Sequence, residues 1–103
     1  DDSFAVDLLD ELIRYFENNI PTLFKRKKDI DVAYAIIELM KRRQEIENFN
    51  KKALYILIRE MTNVETSHIT KVVNVLRKKY RTVLAEYEKT GTIELDKKSN
   101  FFF

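Results

Sequence analysis

Asn63-Val64-Glu65-Thr66-Ser67-His68-Ile69-Thr70-Lys71-Val72-Val73-Asn74-Val75-Leu76-Arg77-Lys78-Lys79-Tyr80-Arg81-Thr82-Val83-Leu84-Ala85-Glu86-Tyr87 is the stretch around which the chain is organised. Ile69, Val72, Val73, Leu76, Tyr80, Val83, Leu84 and Tyr87 recur at steps of three and four, which makes one continuous apolar face on a long helix. With about 100° between successive residues, Ser67, Lys71, Asn74, Lys78 and Arg81 fall in a narrow strip on the opposite side. Between Thr66 and Arg81 stand five basic residues and no acidic one. A positive, hydrogen-bonding strip on an anchored helix suits the major groove of DNA. A solvated helix face has the same pattern, so both readings stay open.

The rest of the chain agrees with a helical fold. A length of 103 residues predicts one domain, and 45% hydrophobic residues supply a modest core. One Gly and one Pro leave little material for hairpins and tight turns. We therefore expect an all-α bundle of four main helices over residues 1–91, followed by an extended C-terminal tail over residues 92–103.

The first helix is predicted from Ser3, its cap, to Asn19, with Phe4, Leu8, Leu12, Phe16 and Ile20 on one stripe. Asn18-Asn19-Ile20-Pro21 should end it, because the residue before proline is pushed out of the α region. Leu23 and Phe24 are expected to pin the connection to the core. The second helix is predicted from Asp29 or Asp31 through Arg43 or beyond. It is apolar around much of its surface and therefore central. A break is expected at Asn48-Phe49-Asn50, with Asn50 capping a third helix over Lys51–Met61. Tyr55 and Ile56 lie off that helix's apolar stripe, which suggests a partner contact or burial on two sides. Thr66 or Ser67 should cap the fourth helix.

Several chemistries lack their residues. There is no cysteine and only one histidine, so neither a disulfide frame nor a metal centre is expected. The single glycine excludes a glycine-rich phosphate loop. Ser67 and His68 are sequence neighbours and point about 100° apart on a helix, so they are no catalytic dyad. Asp7, Asp10 and Glu11 read as a solvated acidic face. Enzyme activity and a cofactor are not expected. No apolar run approaches the about 20 residues that span a bilayer. The acidic opening lacks the features of a signal peptide. A soluble, cytoplasmic protein, associated with a nucleoid or nucleus, is the expectation.

Charge is uneven. Residues 1–24 hold six acids and one base, while basic runs follow at 25–28, 41–43 and 77–79. Such a chain can turn a positive face to a polyanion.

Leu54 to Leu76 resembles the helix-turn-helix of DNA-binding regulators. Thr62-Asn63-Val64-Glu65 occupies the turn, with Asn63 where that family most often has glycine. Val64 would plug the junction, and Ile69 and Val72 match buried positions of the recognition helix. Arg59 departs from the pattern, since a small residue usually stands there. The resemblance implies that Thr66, Ser67 and His68 reach base edges or phosphate, that Lys71 and Asn74 read bases, and that Lys78 and Arg81 hold phosphates. A plain αα-hairpin is the alternative.

The terminal Phe101-Phe102-Phe103 either folds back over the helices or anchors a protein partner. The second reading resembles, loosely, the aromatic tails by which replication and transcription factors hold a sliding clamp. The chain is thus expected to be a small DNA-associated regulatory or accessory protein. The alternative is a helical adaptor, or a homo-oligomer, that uses Tyr55, Ile56 and the terminal phenylalanines.

Overall fold

A computed structural model describes residues 2–89, with side chains described for residues 9–86 and 89. Four helices follow one another: α1 (Asp2–Leu23), α2 (Lys27–Lys41), α3 (Lys51–Thr62) and α4 (Thr66–Lys89). Their amphipathic faces converge on α2, which packs against each of the other three. The expected all-α bundle is what forms, because each helix has an apolar stripe that it must bury.

The core is built from the stripes legible in the sequence. Leu12, Phe16 and Ile20 of α1 are buried, as are Val32, Ile36 and Ile37 of α2. From α4, all of Ile69, Val72, Val73, Leu76, Tyr80, Val83 and Leu84 are buried, each below 9% exposure. At about 1.5–3 kcal/mol for each fully buried large apolar side chain, the α4 stripe dominates the helix's attachment. Its opposite face is thereby held outward.

Three predicted boundaries are corrected. First, α1 does not stop before Pro21 but runs on to Leu23 with Pro21 inside it, and it starts at Asp2, ahead of Ser3. Ile20 is fully buried, and the Phe24 N–H bonds the Ile20 carbonyl at 3.0 Å with the Phe24 ring also buried. Burial on both sides of an exposed proline outweighs the local preference of its predecessor. Second, α2 begins at Lys27, two residues before Asp29, and Asp29 lies inside its first turn.

Third, α2 ends at Lys41 rather than at Arg43 or beyond. The Arg43 guanidinium donates to the Met40 carbonyl at 3.1 Å and reaches Asp10 of α1 at 3.4 Å. That arginine adds a second donor to a carbonyl that already accepts the Arg43 N–H at 3.2 Å, and it ties the following turns to α1. Ile46 packs half-buried against the core, while Phe49 is 44% exposed.

The expected cap at Asn50 is present: its side-chain oxygen accepts the Ala53 N–H at 2.8 Å.

Candidate nucleic-acid interface

The candidate interface begins at the turn between α3 and α4. Asn63 adopts the left-handed conformation, φ 56° and ψ 34°, and its N–H bonds the Arg59 carbonyl at 2.7 Å. This is a helix stop that glycine favours and asparagine tolerates. Val64 then turns inward and is buried. The Glu65 carbonyl accepts the Ile69 N–H at 3.2 Å, so Glu65 stands at the cap and Thr66 is already helical. The expected capping by Thr66 or Ser67 is corrected: both residues are already inside the helix. Arg59, which departs from the helix-turn-helix pattern, is exposed and stays out of the helix junction.

From that anchored start the α4 strip faces outward. Thr66, Ser67, Lys71, Asn74, Lys78 and Arg81 are all exposed. Ser67 and Arg81 are about 21 Å apart along the axis at about 1.5 Å per residue. Asn74, Lys78 and Arg81 line one shallow depression together with Arg77, Thr82 and Ala85, and no acidic residue lines it. Among the described residues, neither Lys78 nor Arg81 makes an ion pair with a carboxylate. These three side chains, one amide and two cations, are exposed and face no described carboxylate.

The N-terminal half of the strip differs. Asp29 of α2 is 4% exposed, the one buried charged residue among those described. One of its carboxylate oxygens lies 3.5 Å from the Lys71 Nζ, and the other lies 4.0 Å from the His68 Nδ1. The second oxygen is buried and has no hydrogen-bond partner. A buried carboxylate needs a nearby cation, and α4 supplies it through Lys71. Lys71 is therefore shared between solvent and the core, and His68 is two-thirds covered, its side chain 32% exposed.

Asp29 was missed as a site residue in the sequence, where it reads as a helix start. The signal was its spacing, since Asp29, Val32, Ala33 and Ile36 fall on one stripe.

The residues expected to meet a protein partner divide as well. Ile56 is 45% exposed, while Tyr55 is half-buried with the Lys51 Nζ 5.7 Å from its ring centroid. Phe101, Phe102 and Phe103 lie outside the described residues. Among the described residues no three potential ligands converge on a metal position. No described helix is long and apolar enough to cross a membrane. No family model, no curated protein and no solved structure matches the chain.

Proposed function

We propose that this chain is a small, non-catalytic DNA-associated protein, a regulatory or accessory factor of transcription or replication, that holds duplex DNA with the outer face of α4. One observation carries the reading. Asn74, Lys78 and Arg81 stand exposed and free of described carboxylates on a helix whose opposite face is buried from Ile69 to Leu84. The buried stripe makes α4 a rigid platform, and the strip offers an amide that pairs with adenine and two cations that neutralise phosphates. A strip of about 21 Å exceeds the roughly 12 Å width of the major groove. Its Ser67–Asn74 half then enters the groove, and Lys78 and Arg81 remain at the phosphate backbone. Lys71 acts there only to the extent that Asp29 releases it.

Fluorescence anisotropy with labelled duplex DNA over a range of salt concentrations tests the reading. Neutralising two phosphate contacts changes the slope of log K against log salt by about 1.8, at about 0.9 per contact. Lys78→Ala with Arg81→Ala should therefore flatten the slope by that amount while circular dichroism stays unchanged. A folded double variant with the parent's affinity and slope would remove α4 as the binding surface.

A further inference from the structure

The run Lys25-Arg26-Lys27-Lys28 is used neither by the bundle nor by the contacts proposed for α4. All four residues are exposed. Among the described residues, none of them pairs with a carboxylate. Arg26 stands at the N-cap of α2, and Lys27 and Lys28 lie in its first turn. The helix dipole disfavours positive charge there, so the run opposes the fold locally and gains no ion pair from it. A local conflict of this kind points to function.

The run is held from both sides. Phe24 before it and Asp29 after it are buried, 5% and 4% exposed. The Asp29 carboxylate lies 3.5 Å from the Lys71 Nζ, so the run adjoins the start of α4. Lys25 lies within about 15 Å of Asp29, at about 3.8 Å per residue. The acids near this end of the bundle turn elsewhere. Residues 18–28 contain none. Glu17 and Asp10 of α1 pair with Lys41 and Arg43, at the opposite end of α2. Asp31 lines a depression with Tyr34 and Met61, and Glu65 lines another with Arg59 and Glu60.

We infer that Lys25, Arg26, Lys27 and Lys28 form a second phosphate-binding surface, which holds the DNA strand at the start of α4. The inference rests on the DNA reading of α4 and completes it. A phosphate backbone borders the major groove on each side. The Ser67–Asn74 half of the strip is about 10 Å long at about 1.5 Å per residue, close to the roughly 12 Å width of the groove. Lys78 and Arg81 take the backbone at one end of that half, and the run stands at the other. Its chemistry selects a polyanion. No exposed apolar residue stands within residues 22–31, so the surface lacks the anchor that a protein interface or a membrane-inserted segment uses.

The test follows labelled duplex DNA by fluorescence anisotropy with the full chain over a range of salt concentrations. One variant carries Lys25→Gln, Arg26→Gln, Lys27→Gln and Lys28→Gln, and a milder one carries only Lys27→Gln with Lys28→Gln. A third keeps the charge through Lys25→Arg, Lys27→Arg and Lys28→Arg. At about 0.9 per phosphate contact, the fourfold variant should flatten the slope of log K against log salt by at least about 1.8, and the milder one by at least about 0.9. The arginine variant should keep the parent's slope. Melting midpoints should stay unchanged or rise, because charge leaves an unfavourable helix end. Adding Lys78→Ala with Arg81→Ala to the fourfold variant should sum the two losses of slope.

A folded fourfold variant with the parent's slope, where Lys78→Ala with Arg81→Ala still flattens it, overturns the inference and leaves the α4 reading standing. Flattening by the fourfold variant alone overturns the α4 reading and, with it, the second surface. Vesicles containing phosphatidylserine form the membrane arm. Vesicle binding that depends on the run, beside duplex binding that does not, also overturns the inference.

Discussion

Lys71→Met should destabilise the fold although Lys71 lies on the exposed strip of α4, and the loss should vanish when Asp29 is replaced as well. The Lys71 Nζ is 3.5 Å from a carboxylate whose side chain is 6% exposed. At an effective dielectric of about 20, two unit charges this close attract by roughly 4–5 kcal/mol before desolvation and side-chain ordering. The lysine side chain is 55% exposed, so solvent screening removes much of that attraction. A net coupling of about 1–2 kcal/mol remains, below the 3–5 kcal/mol typical of breaking a fully buried pair. Asp29→Asn alone should cost less, about 1 kcal/mol. It loses the ion pair and the favourable place of a negative charge in the first turn of α2. Asparagine keeps a polar atom in the buried, unpartnered position but no longer buries a charge there. Urea unfolding of the parent, both single variants and the double variant closes the cycle, provided the m-values agree. A coupling energy below about 0.3 kcal/mol, the usual additivity error, would refute Asp29 as the group that holds Lys71.

Three further outcomes are expected. Asn63→Val should lower stability by about 1–2 kcal/mol, because a β-branched residue is forced to positive φ, while Asn63→Gly should be neutral or stabilising; thermal melts of the two variants read the difference. Asn50→Ala should cost about 0.5–2 kcal/mol through the loss of the α3 cap, read by the same melts, and Asn50→Ser should restore most of it. Lys41 titrates above its usual value chiefly because it hydrogen-bonds Glu17. A raised lysine contributes stability that is fully present below 10.5, the unfolded value, and is lost as pH rises through the folded value. Glu17→Gln should move the Lys41 titration, followed by NMR, back toward 10.5 and shrink the alkaline loss of stability.

Local signals were enough for the long α4 stripe, the Asn50 cap and the Asn63 turn. Each depends on residues within one or two turns of one another: the 3.6-residue period, an asparagine oxygen three residues from its donor, and a backbone that tolerates positive φ. The same locality explains where expectation and structure part. Pro21 signals a stop, yet Ile20 and Phe24 are both drawn into a core made by other helices. Arg43 looks like a helical residue, yet Asp10, far away in the chain, receives its guanidinium. Asp29 looks like a surface cap, and only the packing of α2 on α4 buries it and makes Lys71 and His68 its neighbours. Periodicity could thus name the outward strip on α4, but dividing it between Lys71, held by the core, and Asn74, Lys78 and Arg81, open to a partner, required the position of a second helix. Burial and charge pairing are long-range properties, and no spacing along a single helix encodes them.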